Sequence, residues 1–226
     1  MPQLEILDIS FNEEAMDLSP LATLSNLKSL EARGMSATDY QFLNSLKNLE
    51  SLDLSDTSIS DLKTIASLEN LQELRLRESE FQNYSELLGL KGLISLSIDN
   101  SRIEDIEWVA NLENLKNLRL RDSGISDIKF LQPLKKLERL DLRHNQIVDV
   151  EMLIEKGGLE RLDLGNNEIK NFSRLNVLKN LRRLDLRGNL ISNEERKRIV
   201  REMSSYDQAR LRIGEQRLEW YAGRSN

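Results

Sequence analysis

Leucines recur along the chain with a period of 22 residues, and polar residues separate them in a fixed order. The strings LERLDLRHN, LERLDLGNN and LRRLDLRGN are successive copies of one pattern, L-x-x-L-x-L-x-x-N, and they begin at Leu137, Leu159 and Leu181. Nine copies cover residues 4–192, and only the first carries an inserted residue. This period predicts a solenoid, in which each copy forms one coil that stacks on its neighbours.

Within each copy the apolar positions predict a short strand followed by a turn. Numbered from the first leucine, positions 4 and 6 are apolar and alternate with polar residues, as in a strand with one buried face. Position 9 is Asn, Ser or Thr in eight copies, and such side chains bond the backbone of turns. Because hydroxyl residues rather than Asn occupy it in the middle copies, we predict a looser or differently curved ladder there.

Position 13 predicts where the second element of each coil begins. It is Asp or Asn in all nine copies, and apolar residues follow at positions 14, 17 and 20, such as Ile128, Leu131 and Leu134. A short acceptor before an apolar pattern of this spacing is what a helix N-cap requires. The predicted fold is therefore an α/β solenoid, an arc with nine parallel strands on its concave face and short helical or 3-10 turns on its convex face.

The residues after the last copy predict a cap on the solenoid. Asn193 starts a polar helix, and the string ARLRIGEQRLEWY predicts a hairpin about Gly214. We therefore divide the chain into a solenoid at residues 1–192 and a C-terminal cap at residues 193–226. The first coil has no comparable cap, so we expect an exposed apolar slab there. A partner or a second copy of the chain would cover it, unless the chain is cut from a longer one.

Composition limits the kind of site. The chain is 39% hydrophobic and 31% charged, which is typical of a soluble globular protein. No apolar run approaches the ~18 residues of a membrane span, and MPQLEILDIS lacks a signal-peptide pattern. We expect no membrane insertion and favour a cytoplasmic location unless the chain is a fragment of a secreted protein. The absence of cysteine excludes disulfides, and the net charge of -6 argues against a nucleic-acid partner.

The repeats carry a family resemblance. The stretches SISDLKTIASLENLQELRL and GISDIKFLQPLKKLERLDL resemble the 22-residue leucine-rich repeats of bacterial internalins. They are more distantly similar to the protein-phosphatase regulatory subunits built from such repeats. The resemblance implies a leucine-rich-repeat architecture over about five-sixths of the chain. Because internalins bind host proteins on the concave sheet, it also implies a protein partner on that face.

Charged residues line the predicted concave face, where equivalent positions of successive coils form ladders about 4.8 Å apart. The candidate partner-binding residues, at positions 5, 7 and 8, are Asp53, Arg75, Arg77, Asp99, Arg119, Arg121, Asp141, Arg143 and His144. Arginine forks that pair with carboxylates would bind a charged protein epitope. Alternatively, neighbouring rungs neutralise one another, as Arg75 beside Asp53 would, in exposed pairs of about 0–1 kcal/mol each. The sequence leaves both interpretations open.

Three large side chains define a competing surface on the predicted convex side. Position 16 carries Trp108, Phe130 and Met152 in consecutive copies. This predicts either an apolar stripe that binds a partner or, as we favour, partial burial between neighbouring turns. In the seventh copy Lys156 occupies a normally apolar position, and we predict that the turn there ends at Gly157.

The residue types give no sign of catalysis. His144 is the only histidine, between Asp122 and Asn166 on adjacent rungs, where it is either an exposed turn residue or a pH-sensitive contact. One histidine cannot make a zinc site, and no phosphate-binding glycine motif occurs. We predict a non-enzymatic protein-interaction scaffold without a cofactor. The alternatives are a recognition module of a larger enzyme or bacterial surface or effector protein, and self-association through the convex stripe or the open N-terminal end.

Overall fold

The computed structural model describes residues 3–12, 17–37, 39–79, 81, 83–172, 174, 177–203 and 210–213. The chain forms two compact units, Met1–Leu115 and Lys116–Asn226. We call them the N-terminal unit and the C-terminal unit. The predicted cap at residues 193–226 lies within the C-terminal unit.

Among the described residues, each unit contains five short parallel strands. Those of the N-terminal unit are β1 (Ile6–Asp8), β2 (Ser29–Glu31), β3 (Ser51–Asp53), β4 (Glu73–Arg75) and β5 (Ser95–Ser97). Those of the C-terminal unit are β6 (Asn117–Arg119), β7 (Arg139–Asp141), β8 (Arg161–Asp163), β9 (Arg183–Asp185) and β10 (Arg210–Arg212). The nine predicted strands are confirmed. The tenth comes from the predicted cap and pairs in parallel with β9, while the second arm of the predicted hairpin lies outside the described residues.

The leucine at position 4 of each coil sets the register of the strands. In the C-terminal unit Leu118, Leu140, Leu162 and Leu184 pair in order across β6 to β9. These four side chains are 0–1% exposed. Because side chains alternate along a strand, the residues on either side of each leucine point to the opposite face of the sheet. The pattern therefore places the leucines in the core and the variable polar residues on the face away from it.

Short turns face the strands across the leucine core. In the N-terminal unit these are the 3-10 turns Ser19–Thr23, Gln41–Ser45, Tyr84–Gly89 and Glu107–Asn111 and the single-turn helix α1 (Lys63–Ala66). In the C-terminal unit they are the 3-10 turns Lys129–Leu131 and Glu151–Glu155, followed later by helix α2 (Asn193–Met203). The prediction of short helical or 3-10 turns is confirmed.

The residue at position 13 starts most of these turns as predicted. Its side-chain oxygen accepts the backbone N–H two residues on at 2.8–3.0 Å in the coils of Asp17, Asp39, Asp61, Asn83, Asp105, Asp127 and Asp149. Helix α2 differs, because the hydroxyl of Ser192 and not Asn193 accepts the N–H of Glu195, at 3.2 Å. Ser192 lies one residue before the helix, where a capping side chain reaches its first turn.

Position 8 takes a left-handed backbone conformation in all nine coils, which the sequence pattern does not predict. The values of φ lie between 48° and 71° at Phe11, Gly34, Asp56, Glu78, Asn100, Asp122, His144, Asn166 and Gly188. Only two of these residues are glycine, although glycine is the residue that adopts this conformation at least cost. The coil geometry therefore overrides local preference here, because the chain must leave each strand sharply to keep the stack in register.

Asparagine at position 9 joins consecutive coils. The Oδ1 of Asn145 accepts the backbone N–H groups of Ser123 and Ile125 at 3.1 and 3.0 Å. Its Nδ2 donates to the carbonyls of Leu120 and Leu142 at 2.7 and 3.0 Å. One side chain thus satisfies backbone groups of two buried turns. Leaving these groups without hydrogen-bond partners would be costly.

Serine at the same position makes weaker connections in the N-terminal unit. The hydroxyl of Ser101 accepts the N–H of Ser79 at 3.2 Å and donates to the carbonyl of Asp99 at 3.2 Å. A hydroxyl can bond fewer backbone groups than an amide, since it has one hydrogen to donate and a single polar atom. A looser or differently curved ladder in the serine coils stays a prediction.

A second set of asparagines, which the sequence analysis did not single out, joins the coils at another corner. They stand directly before the first leucine of a repeat, and each donates its Nδ2 to a carbonyl 23 residues earlier. The pairs are Asn48 to Ser25, Asn70 to Lys47, Asn114 to Lys91 and Asn180 to Gly157, at 2.8–2.9 Å. Asparagine side chains therefore link consecutive coils at two places, which are position 9 and the residue before the first leucine of a repeat.

Lys156 lies in the core and not on the surface. The turn before it ends at Glu155, two residues earlier than predicted, and the lysine is 2% exposed. Its Nζ donates to the carbonyls of Leu131, Gln132 and Leu134 at 2.5, 2.9 and 3.4 Å. Burial, aided by the nearby charge of Lys135, lowers the pKa of Lys156 to about 8. The ammonium group thus takes the place of an apolar side chain, and it satisfies the carbonyl groups at the end of the turn in the preceding coil.

Candidate functional site

The candidate site lies on the face of the sheet opposite the leucine core, which we call the open face. Positions 3, 5 and 7 of each coil point to this face because they alternate with the buried leucines. In the C-terminal unit the open face carries arginine or aspartate at ten of the twelve such positions in β6 to β9 and their continuations. The short strands therefore display charge in three parallel columns.

Asp141 is the centre of the tightest cluster on this face. Its Oδ2 accepts from Nη2 of Arg143 at 2.6 Å and from Nε of Arg121 at 2.7 Å, and its Oδ1 accepts from Nε of Arg143 at 2.9 Å. The aspartate is 8% exposed, whereas both arginines are half-buried. A buried carboxylate thus fixes two half-buried guanidinium groups.

Burial raises the pKa of Asp141 to about 6, with the neighbouring charge of Asp163 acting in the same direction and Arg121 opposing the shift. Above this value the carboxylate is ionised and holds both arginines. Below it the proton removes one acceptor oxygen and the negative charge. The arrangement of the two guanidinium groups is therefore maintained at neutral pH and weakened in acid.

A second fork of the same kind lies two coils further on and was missed by the sequence analysis. Arg187 donates from Nε and Nη2 to the two carboxylate oxygens of Asp185 at 2.9 and 2.6 Å. Asp185 is 0% exposed, and its hydrogen bond raises the pKa of Arg187. The signal is present in the sequence as the string D-L-R, which also gives Asp141 and Arg143.

Gly165 separates the two forks. It stands at position 7 of the intervening coil, where a Cβ would lie 3.7 Å from Cγ of Arg143 and 3.7 Å from Oδ1 of Asp185. Because Gly165 stands two residues after Asp163 in place of an arginine, Asp163 has no fork of this kind. Its Oδ1 accepts a hydrogen bond from Nε of Arg183 at 3.2 Å. The two arginine forks of the C-terminal unit thus stand on either side of a residue without a side chain, at which an added Cβ would lie 3.3 Å from the carbonyl oxygen of Arg187.

The predicted residues of the N-terminal unit are paired more loosely. Oδ2 of Asp53 lies 3.7 Å from Nη1 of Arg75 and 3.8 Å from Nη2 of Arg77, and Arg75 makes its short contact, 2.6 Å, with Glu73. Asp99 is 4% exposed and bonded to a serine hydroxyl. Pairing between neighbouring rungs thus occurs here as the second interpretation predicted. The arginines around Asp141 and Asp185 in the C-terminal unit are therefore held by shorter polar contacts than those around Asp53.

Two predicted residues of the C-terminal unit lie beside this cluster. Arg119 is half-buried in β6, and its charge acts on Asp141. His144 is exposed at the left-handed position 8, with Nε2 3.1 Å from Nδ2 of Asn166. This is the geometry of an exposed turn residue.

The three residues of the predicted convex stripe are placed differently from one another. Trp108 and Phe130 are 4% and 1% exposed, and Met152 is half-buried. The ring of Trp108 stacks on that of Tyr84 with centroids 6.3 Å apart. The two aromatic side chains are therefore packed inside their own units and are not accessible as an exposed stripe. The reason is that position 16 points between adjacent turns, where a large side chain fills space.

The first coil leaves apolar side chains at the surface. Ile6 and Phe11 are 70% and 64% exposed. Leu7 is half-buried, whereas its counterpart Leu30 in the next coil is fully buried. Ile6 stands at position 3, on the open face, and the guanidinium of Arg33 lies 5.5 Å from the ring centroid of Phe11. An apolar slab on the uncapped side of this coil stays a prediction.

The described residues offer neither a metal site nor a membrane-spanning helix. No group of three or more histidine, cysteine, aspartate or glutamate side chains is arranged to hold a metal ion there. In the same part of the chain, no helix has the length and apolar character that crossing a bilayer requires. The open face is thus the best-defined candidate.

The coil geometry and the sequence pattern together define a leucine-rich-repeat protein, and its repeats are internalin-like. Family profiles described as "Leucine Rich repeats (2 copies)" and "Leucine rich repeat" match residues 113–155 and 135–191. No curated protein sequence matches the chain. Proteins with this fold are typically binding modules, and neither of the two profiles describes a catalytic domain.

Solved structures support the same assignment. An internalin (InlF) of Listeria monocytogenes is 28% identical with a TM-score of 0.81, over 93% of this chain and 62% of that one. A leucine-rich-repeat protein of Leptospira interrogans is also 28% identical, with a TM-score of 0.76 over 93% and 60% of the two chains. TLR13, solved in a complex with ssRNA13, is 25% identical, with a TM-score of 0.72 over 95% and 33%. The chain thus spans about three-fifths of the length of the two bacterial proteins.

Proposed function

We propose that this protein is a non-enzymatic scaffold that binds a charged epitope of another protein through the open face. The observation that carries the proposal is the pair of buried aspartates, Asp141 and Asp185, each beneath a half-buried arginine fork. A guanidinium held by two hydrogen bonds loses little further freedom when a partner carboxylate approaches. The cluster thus resembles a surface organised before binding.

The same features favour a protein partner over a nucleic acid. Aspartates at position 5 of β7, β8 and β9 run between the arginine columns, and a phosphate backbone that crosses these three strands would meet them. None of the residues at positions 3, 5 and 7 of β6 to β9 is aromatic, so bases would have no stacking platform. The chain also spans only about three-fifths of the length of its two bacterial neighbours. The alternative proposal is therefore that it is the recognition module of a larger surface or effector protein.

Selection of partners from a displayed library of protein domains tests this function. For each selected domain we expect Arg121→Ala to weaken binding by at least about tenfold, which corresponds to 1.4 kcal/mol. Asp141 keeps its two bonds to Arg143 in this variant, so the fold is retained, and urea unfolding verifies it. Lys170→Ala is the matched control because Lys170 is exposed and lies outside the sheet. Equal losses in the two variants, or none in either, would contradict the proposal.

A second candidate function is self-association through the first coil, for which the exposed Ile6 and Phe11 are the observation. Sedimentation over a hundredfold range of concentration is expected to show a monomer–dimer equilibrium that Phe11→Ser shifts towards the monomer. Burying a phenylalanine of this kind contributes about 1.5–3 kcal/mol, so the shift is measurable. A monomeric mass at every concentration would rule this candidate out.

A further inference from the structure

A row of like charges crosses the open face of the C-terminal unit at position 3. Arg139, Arg161 and Arg183 pair directly in the register of β7, β8 and β9, and the register continues to Arg210 in β10. We call Arg139, Arg161 and Arg183 the arginine row. The sequence signal is the string R-L-D in three consecutive repeats, which the sequence analysis did not use because it considered positions 5, 7 and 8.

The two ends of the arginine row have polar partners within the protein. Nε of Arg183 lies 3.2 Å from Oδ1 of Asp163, and Nη1 of Arg139 donates to Oδ1 of Asn117 at 3.2 Å. The central member differs. The side chain of Arg161 is exposed and makes neither an ion pair nor a hydrogen bond with any residue that the structure describes.

This arrangement raises the free energy of the unbound protein. Parallel strands lie about 4.8 Å apart, so each arginine of the row faces a like charge at close range. Two unit charges 4 Å apart in water repel by about 1 kcal/mol. Neutral or alternating residues would serve the fold equally well at an exposed position. A bound anion would offset this repulsion.

We propose that the arginine row binds an extended acidic segment of a partner protein, which runs across the strands with its carboxylates over Arg139, Arg161 and Arg183. Alternate residues of an extended chain are about 6.6–6.8 Å apart, and long arginine side chains adjust to that spacing over rungs of 4.8 Å. The neighbouring aspartates at position 5 confine the segment to the row, since they repel carboxylates that move off it.

Single-stranded nucleic acid is the competing ligand with regular negative charge. Asp163 and its neighbours at position 5 flank the row on one side, and Glu138 and Glu160 at position 2 come directly before two of its arginines. A phosphate backbone carries charge on every unit and is wider than an extended peptide, so it would meet these carboxylates. The acidic peptide therefore fits the pattern better.

Fluorescence anisotropy with a labelled twelve-residue peptide of alternating Glu and Ser tests the inference. At low ionic strength we expect binding to the intact chain that weakens steeply with added salt. Arg139→Ser combined with Arg161→Ser is expected to weaken it by at least about tenfold. Arg161→Lys, which keeps the charge, retains most of the affinity. Lys170→Ser combined with Lys179→Ser is the control, since both lysines are exposed and lie outside the strands.

Unfolding in urea provides a second readout. Removing like charges from the row is expected to leave the unfolding midpoint unchanged or to raise it, so lost binding is not the result of lost folding. Equal weakening in the control, absence of peptide binding at low salt, or tighter binding of an oligothymidylate of equal length would each overturn the inference.

The inference rests on the proposed function, but the two fail separately. If selected partner domains depend on Arg121 while the acidic peptide shows no dependence on Arg161, the arginine row is wrong and the scaffold stands. If selected partners respond to neither variant, the open face itself is not the binding surface.

Discussion

Raising the pH from 7 to 10 is expected to increase the unfolding free energy of the protein by about 2–3 kcal/mol relative to that of its Lys156→Met variant. The lysine has a pKa of about 8 in the folded protein and 10.5 when exposed. Between these values the unfolded chain binds a proton that the folded chain does not. Stability therefore rises with pH, because removing the proton that the lysine loses on burial costs less free energy at higher pH.

Methionine is the appropriate replacement for Lys156 because it has a similar length and no titratable group. Urea unfolding of both proteins at several pH values gives the difference free of the other titrating groups, which are common to both. The matched control is Lys170→Met at an exposed position, for which we expect no pH-dependent difference. A constant difference for Lys156→Met, or one that falls with pH, would show that the amine is not buried in the folded state.

Asn145→Ala is expected to lower the unfolding free energy by about 3–5 kcal/mol. The side chain satisfies the buried N–H groups of Ser123 and Ile125 and the carbonyls of Leu120 and Leu142. Each buried backbone group left without a partner costs about 1–3 kcal/mol, and alanine leaves several of them in a space too small for bulk water. Equilibrium unfolding in urea measures the loss.

The matched control is Ser101→Ala at the equivalent position of the N-terminal unit. Its hydroxyl accepts the N–H of Ser79 and donates to the carbonyl of Asp99, both at 3.2 Å. We expect a loss of only about 1–2 kcal/mol there. Similar losses in the two variants would mean that the amide does not join the coils more firmly than the hydroxyl does.

The repeat pattern predicted the strands and the turns because both depend on where apolar residues recur. The leucines at position 4 could be buried only if the strands paired in register, and Asp at position 13 could bond only the turn that follows it. Those predictions rest on spacing, which the sequence shows directly. The same argument gave nine strands and not ten, because the segment that forms β10 lies outside the repeat and its pairing with β9 depends on tertiary packing.

Other features could not be predicted because they depend on neighbouring coils. Lys156 is buried only because three carbonyls of the preceding coil lie within reach of its Nζ. Trp108 is buried because its ring stacks on Tyr84 one repeat earlier. Neither distance can be obtained from one repeat considered by itself.

The candidate site was predicted in part. Columns at positions 5 and 7 followed from the alternation of strand side chains, and they gave Asp141 and Arg143 correctly as neighbours. The concave-face candidates from the sequence all lay between Asp53 and His144. The structure places aspartate–arginine forks at Asp141, which was among them, and at Asp185, which was not, because a fork needs aspartate and arginine two residues apart on one strand.

The central claim is that the open face of the sheet, and not the turns, is the recognition surface. Nuclear magnetic resonance spectra of the arginine Nε–Hε groups, recorded with and without a selected partner domain, test it most directly. The account predicts shifted signals for Arg121, Arg143 and Arg161, with unchanged signals for Arg102 and Arg174, which are exposed outside the sheet. Shifts confined to Arg102 and Arg174, with the open-face arginines unchanged, would contradict it.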